Sequence, residues 1–149
     1  MTEKPAVFSH ILVPADGSQP SVEAGRFAIR LAASQGARVT FAYVVDTIVA
    51  GELRGVSGKA VRQVQGELEL TGQRYLNHLV RLAAEAQLEA DQVIRHGTPY
   101  VEIADLAKEQ GVDLIVIAQV GHHGPRRILI GSVTERVIEY ASCPVLVVK

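Results

Sequence analysis

The chain has 149 residues, of which 48% are hydrophobic and 21% charged, and its net charge is −1. This length predicts one domain, residues 1–149, which can bury roughly 70% of its unfolded surface. The charge argues against nucleic acid or an anionic membrane as a partner. One cysteine, Cys143, excludes an intramolecular disulfide and a multi-cysteine metal site. No signal peptide and no apolar run of roughly 20 residues is present, so we expect a cytoplasmic protein.

The first half of the chain predicts two strands and two helices. The apolar run His10–Ala15 indicates a buried strand, and Ser21–Gln35 has apolar residues at helical spacing. Val39–Val45 predicts a second strand. Thr47–Ala60 contains three glycines without a clear period, and we expect a mobile loop there. Lys59–Ala86 predicts a long helix, whose first half Gly66 and Gly72 weaken.

The second half predicts three more strands and two helices. Gln92–His96 indicates a third strand, and a helix follows from Pro99 to Gly111. Leu114–Ile117 is a β-branched run typical of a strand that is buried on both faces. An amphipathic helix starts at Ser132, and Pro144–Lys149 predicts the last strand.

Strands that alternate with helices predict a parallel sheet with right-handed crossovers and helices on both faces. We therefore expect an α/β fold, an open five-stranded Rossmann-like sheet. If the chain reverses its direction of growth after the third strand, the strand order is 3-2-1-4-5. Open sheets of this kind bind ligands where the order reverses, outside the carboxyl ends of the strands. Those ends are Pro14–Asp16 and Ala118–Gly124 here.

The segment after the fourth strand has the features of an anion site. Gly121, Gly124 and Gly131 allow close backbone approach, and Ser132 and Thr134 add hydroxyl donors at a helix start. The basic side chains nearby are those of His122, His123, Arg126 and Arg127. The alternative is a structural strand–helix junction in which Ser132 only caps the helix.

Asp16 follows the first strand and has two interpretations. Its carboxylate could accept hydrogen bonds from a ribose or from an adenine amino group. It could instead form an Asx-turn or cap the first helix. The chain contains no P-loop and no Gly-x-Gly-x-x-Gly after a strand, and no residue is identified as catalytic.

Four segments resemble the universal stress protein family, over essentially the whole chain. Three are Ile11–Ser18, the stretch from Gly97 to Ile117, and Cys143–Val148. The fourth is the most specific, because it resembles the family's nucleotide motif, Gly-x2-Gly-x9-Gly-Ser/Thr. Its second and third glycines fall on Gly121 and Gly131, and Ser132 follows with the spacing kept.

The resemblance implies an adenine nucleotide α-hydrolase-like fold that binds ATP or AMP. It also implies a homodimer that pairs through Val145–Val148, with Mg²⁺ or Mn²⁺ held mainly by phosphates and water. Adenine and ribose would lie near Ala15, Asp16 and Val44. The predicted nucleotide-binding residues are Pro14, Ala15, Asp16, Val44, Ala118, Gly121, His122, Gly124, Gly131, Ser132, Val133 and Thr134, and no dedicated metal site is predicted.

Ala118 is the departure from the motif that matters, since it stands where the family has its first glycine, and Gln119 and Val120 also replace the usual small polar residue and histidine. If this position required a positive φ, or if the ribose touched its Cα, the extra methyl group would cost about 1–3 kcal/mol. In an ordinary extended strand end the cost would be slight.

Three functions follow from these observations. The leading one is a nucleotide-binding stress-response or regulatory protein. The second is a dimeric interaction module that binds no nucleotide and acts through a regulated protein partner. A weak ATP hydrolase is the third, and it ranks last because no general base is identified.

Overall fold

The computed structural model describes residues 5–120 and 130–149, and these form five strands and five helices. The strands are β1 (His10–Pro14), β2 (Arg38–Asp46), β3 (Ala90–Gly97), β4 (Leu114–Ala118) and β5 (Val145–Val148). The helices are α1 (Gln19–Gln35), α2 (Thr47–Ser57), α3 (Val61–Glu85), α4 (Pro99–Glu109) and α5 (Ser132–Tyr140). Most of the predicted elements are confirmed with ends that shift by about two residues.

All five strands are parallel and lie in the order β3-β2-β1-β4-β5, so the predicted sheet order is confirmed. Ile11 pairs with Val39 on one side and with Leu114 on the other. Both β1 and β4 therefore lie in the middle of the sheet, and their apolar side chains are buried on both faces.

Each face of the sheet is covered by its own helices. Ala28 of α1 and Leu76 of α3 pack with Val13, Phe41 and Val116 on one face. The opposite face buries Leu106 of α4 and Val137 of α5 against further strand residues. Among the described residues, none of the helices combines the length and apolarity needed to cross a membrane.

The prediction of a mobile loop over Thr47–Ala60 is wrong, because most of this segment is helix α2. Asp46 caps the helix, since its Oδ1 accepts hydrogen bonds from the N–H groups of Ile48 at 3.0 Å and Val49 at 3.3 Å. The side chain of Ala50 is fully buried. Gly51 has a low helix propensity, but the cap and the packing of α2 outweigh this cost.

Helix α3 is continuous, and one of its glycines is required by packing. A Cβ atom at Gly72 would lie 2.2 Å from Cδ1 of Tyr43, so only glycine lets the helix approach this ring. Nothing lies within 4 Å of the corresponding position at Gly66. Packing therefore requires a glycine at position 72 but not at position 66.

Polar contacts fix the amino ends of the central strands β1 and β4, which lie at the opposite end of the sheet from Pro14 and Ala118. Asp113 accepts hydrogen bonds from the N–H groups of Ser9 and His10 at 2.9 and 3.0 Å. Burial alone would raise the pKa of Asp113, but these hydrogen bonds outweigh it, and the pKa lies below its ordinary value. The buried His10 Nε2 lies 2.8 Å from Thr40 Oγ1.

Candidate functional site

A crevice of about 530 Å³ lies over the carboxyl ends of β1, β2 and β4. It therefore occupies the point where the strand order reverses, between β1 and β4. Nine of the predicted site residues line it together, namely Pro14, Ala15, Asp16, Val44, Ala118, Gly131, Ser132, Val133 and Thr134. The other three, Gly121, His122 and Gly124, lie outside the described residues, as do His123, Arg126 and Arg127.

The amino end of α5 meets the crevice. Its N-cap residue is Gly131, which has no side chain to accept a hydrogen bond from the first turn. Glu135 N–H donates to Gly131 O at 2.9 Å, so the N–H groups of Ser132, Val133 and Thr134 precede the first intrahelical bond. These groups and the positive end of the helix dipole make this corner suitable for an anion.

The hydroxyl group of Thr134 has a structural partner. Thr134 is buried, and its Oγ1 donates a hydrogen bond of 2.7 Å to Ala118 O. The bond ties the first turn of α5 to the end of β4. The exposed Ser132, by contrast, presents a hydroxyl group at the same helix start.

Ala118 has ordinary strand geometry. It is the last residue of β4, pairs in parallel with Val148 and is 5% exposed. Among the described residues, Gln87 is the only non-glycine residue with a positive φ. The backbone at Ala118 therefore carries none of the strain that a motif glycine would relieve.

Asp16 forms the turn that the structural interpretation predicts. Its Oδ1 accepts hydrogen bonds from Ser18 N–H at 2.9 Å and Ser18 Oγ at 2.5 Å. Ser18 in turn caps α1, because its Oγ accepts from Ser21 N–H at 3.2 Å. Asp16 also lines the crevice, so this structural role does not remove its carboxylate from a ligand.

Sequence reasoning missed the aromatic part of the crevice. Tyr43 and Tyr75 line it, with ring centroids 6.1 Å apart and a tilt of 55°. Burial raises the pKa of the Tyr43 hydroxyl, and the neighbouring Tyr75 and Asp16 raise it further. A Cβ atom at Gly17 would lie only 2.0 Å from the Tyr75 ring. The positions of the two tyrosine rings thus depend on contacts with residues distant in sequence, which sequence periodicity does not reveal.

The crevice is mostly apolar at its other positions. Pro99 and Ile103 of α4 and Ile117 of β4 line one end, while Val49 and Leu53 of α2 line the other. Among the described lining residues the charged side chains are two carboxylates, Asp16 and Asp46. The anion-binding character of the described part therefore comes from the amino end of α5.

Fold and crevice together define an open, doubly wound α/β protein with a crevice at its switch point, where folds of this class bind ligands. The family model of the universal stress protein family matches residues 8–149. Universal stress protein MJ0531 of Methanocaldococcus jannaschii is 38% identical over 96% of this chain and 83% of its own length. Universal stress protein YxiE of Bacillus subtilis is 32% identical over 96% of this chain and 100% of its own. The chain belongs to the universal stress protein family.

Solved structures share the fold. Universal stress protein UspA from Lactobacillus plantarum superposes with a TM-score of 0.84 at 25% identity, covering 99% of this chain and 100% of its own. A universal stress protein from Archaeoglobus fulgidus in complex with dAMP has a TM-score of 0.71 at 23% identity, with 96% and 99% covered. A family protein from Arabidopsis thaliana with AMP bound has a TM-score of 0.69 at 18% identity, with 95% and 91% covered.

Proposed function

We propose that this protein binds an adenine nucleotide in the switch-point crevice and acts as a stress-response or regulatory protein in the cytoplasm. The observation that carries the proposal is the meeting of the Gly131-capped amino end of α5 with the carboxyl ends of β1 and β4. The relatives solved with AMP and dAMP support adenine as the base.

The phosphate end of the ligand would contact the first turn of α5. The N–H groups of Ser132, Val133 and Thr134 and the Ser132 hydroxyl suit phosphate oxygens. The Thr134 hydroxyl is already bonded to Ala118 O, so Thr134 contributes its backbone rather than its side chain. Mg²⁺ or Mn²⁺ would be held by the phosphates and water, as with ATP.

The test is a calorimetric titration of the protein with AMP and with ATP, each in the presence and absence of Mg²⁺. Ser132→Asp puts a negative charge where the phosphate would lie. The variant should stay folded, because an acidic residue at the start of a helix stabilises that helix. We expect about tenfold or greater loss of affinity in this variant. Ser142→Asp, at an exposed site beyond the other end of α5, is the matched control and should bind as the parent does.

A parent protein that binds neither AMP nor ATP would reject the proposal. Equal affinities of the Ser132 and Ser142 variants would reject the phosphate position. If the parent protein does bind, mass spectrometry of small molecules released from the freshly purified protein identifies which nucleotide it carries.

A homodimer through β5 is the second part of the proposal. The four residues of this edge strand, Val145–Val148, are apolar and only partly buried. The helix beside it exposes Ile138 and Tyr140, 46% and 54% respectively. Pairing two copies would cover this apolar edge. Such a dimer also fits an interaction module that acts through a protein partner without nucleotide.

Sedimentation measures the dimer directly. Val147→Lys on β5 should shift the protein toward monomer, since it puts a charge into the paired edge. Gln92→Lys on the opposite edge strand, β3, is the control and should leave the assembly unchanged. A monomeric parent would contradict the dimer without affecting the nucleotide proposal.

A further inference from the structure

The turn that leaves β4 joins the end of β5 to the start of α5. Gln119 N–H donates to Val148 O at 2.9 Å, so the residue after β4 extends the pairing to the last residue of β5. Gln119 O accepts a hydrogen bond of 2.7 Å from Gly131 N–H, and Gly131 is the N-cap residue of α5. The backbone of Gln119 therefore bridges β5 and α5.

A further hydrogen bond holds α5 to the same turn. Thr134 is buried, and its Oγ1 donates to Ala118 O at 2.7 Å. Residues 118 and 119 thus hold the first turn of α5 at two points, Gly131 and Thr134. The N–H groups proposed to contact phosphate lie in this turn, so their positions depend on the two residues that follow β4.

Strand β5 supports this turn from the edge of the sheet. It has four residues, each only partly buried, and β4 is the one described strand that pairs with it. A short edge strand opens locally at a low free-energy cost, because few apolar contacts hold it. When β5 opens, Gln119 N–H loses its acceptor, Val148 O, and the turn that holds Gly131 becomes less constrained.

Helix α5 also connects the crevice to the β5 edge directly. Its nine residues span about 13 Å, with the amino end at the crevice. Ile138 and Tyr140, near the other end, are exposed. Val137 is fully buried in the cluster against which Val145 and Val147 of β5 pack. Covering this edge with a second copy would therefore restrain α5 as well as β5.

We propose that dimer formation through β5 and nucleotide binding at the amino end of α5 are coupled within each chain, an inference that rests on both parts of the proposed function. A second copy paired with β5 keeps the strand closed, and so it keeps Gly131 in the geometry that receives a phosphate. A monomer whose β5 is open has to order this corner before it binds, which lowers its apparent affinity. Because such coupling is reciprocal, the nucleotide in turn favours the dimer.

Dilution of the parent protein tests the coupling without any substitution. Sedimentation gives the dimer dissociation constant, and the affinity for AMP is then measured well above and well below that concentration. We expect the dimer to bind AMP about fivefold more tightly per site than the monomer. Saturating AMP should therefore lower the dimer dissociation constant by about 25-fold, since each dimer has two sites.

Two substitutions at Gln119 test the route of the coupling. Gln119→Pro removes the N–H group that donates to Val148 O, whereas Gln119→Ala keeps it. The alanine variant should keep the difference in AMP affinity between dimer and monomer. The proline variant should bind AMP equally in both forms, as weakly as the parent monomer does. A proline variant that kept the difference would overturn the proposal.

Hydrogen exchange tests the coupling without a nucleotide. In Val147→Lys, which should be monomeric, the Gly131 amide should exchange about fivefold faster than in the parent dimer, because the turn that holds it opens with β5. Val93→Lys is the matched control. Val93 lies on the opposite edge strand, β3, and packs against the same cluster as Val147, so this variant should exchange as the parent does.

The failure of the coupling can be told apart from the failure of the proposed function. Equal AMP affinities of monomer and dimer would overturn the coupling alone. A parent that is monomeric at every concentration would overturn it together with the dimer, and would leave the nucleotide proposal intact. If the protein ignores AMP, the nucleotide proposal fails and exchange at Gly131 decides. Faster exchange in the monomer would then support the link between β5 and α5, and equal exchange would reject it.

Discussion

Ala118 stands where the predicted nucleotide motif has its first glycine, and its strand geometry predicts how a glycine there would behave. Its extended backbone and strand pairing leave no strain for a glycine to relieve. Ala118→Gly should therefore change AMP affinity by less than about threefold. The free energy of unfolding should fall by about 0.5–1 kcal/mol, because glycine is more flexible in the unfolded chain. Calorimetry with AMP and urea unfolding measure the two effects, and a large gain in affinity would contradict this expectation.

Thr134 is the residue whose structural role is most open to test. Thr134→Val keeps its shape but removes the hydrogen bond to Ala118 O. We expect a loss of about 1–3 kcal/mol in unfolding free energy, because a buried carbonyl loses its side-chain partner. Thr134→Ser should recover most of it.

Thr71→Val is the control for that experiment. The Thr71 hydroxyl bonds only to a carbonyl of its own helix at a partly exposed position. Its removal should change stability by no more than about 0.5 kcal/mol. If both valine variants lost the same stability, the bond between Thr134 and β4 would have no special importance.

At the scale of the elements, α2 depends on Asp46. Asp46→Ala removes the acceptor for the N–H groups of Ile48 and Val49, and the first turn should open more often. A cap of this kind contributes about 1 kcal/mol, which corresponds to exchange of these two amides about fivefold faster. Hydrogen exchange measures it, and Asp46→Asn should keep most of the protection. Unchanged exchange in the alanine variant would show that packing alone holds the helix.

The glycines of α3 predict opposite effects from one substitution. Gly66→Ala meets open space, so it should stabilise the protein by up to about 1 kcal/mol. At Gly72 the same gain in helix propensity is opposed by the clash with Tyr43, which costs about 1–3 kcal/mol. Gly72→Ala should therefore destabilise the protein. Thermal unfolding measures the stability of the two variants relative to the parent. Stabilisation by both substitutions would mean that Tyr43 moves aside without cost.

These elements also show how far sequence reasoning reaches. The strands and their order follow from apolar runs separated by helices, and β1 and β4 were predictable because both are buried on both faces. Helix α2 was missed because its glycines dominate the pattern, while its cap lies one residue earlier, at the end of β2. The tyrosine pair was missed because Gly17 and Gly72, distant in sequence, jointly allow the rings to approach. Their effect depends on distances between elements, which composition does not contain.

At the scale of the whole molecule, buried His10 makes stability depend on pH. Burial and the neighbouring Arg38 lower its pKa from the ordinary value of 6.5. Because the unfolded chain takes up the proton first, stability should fall as pH drops below about 6.5. Asp113 has a lowered pKa as well, but its contribution is lost only as pH drops below its ordinary value of 3.8.

Urea unfolding between pH 7.5 and 5 separates these contributions. The parent protein should lose stability across this range, and His10→Gln should lose less, since glutamine does not titrate. Asp113→Asn should show a slope at least as steep between pH 7.5 and 5, because the carboxylate itself stays ionised there and its loss lowers the pKa of His10 further. Parallel slopes for the parent and the His10 variant would contradict the role of His10.

The pairing of β1 with β4 also determines the order in which the chain can assemble. The hydrogen bond from His10 N–H to Asp113 joins residues 103 positions apart, and β4 is the strand that pairs with the second side of β1, at Ile11 and Leu12. At a synthesis rate of about 5–20 residues per second, β1 waits about 5–20 s on the ribosome for its partner. During that time one side of an apolar strand is open to other chains. Nascent β1 is therefore where a trigger for co-translational chaperone binding should be sought.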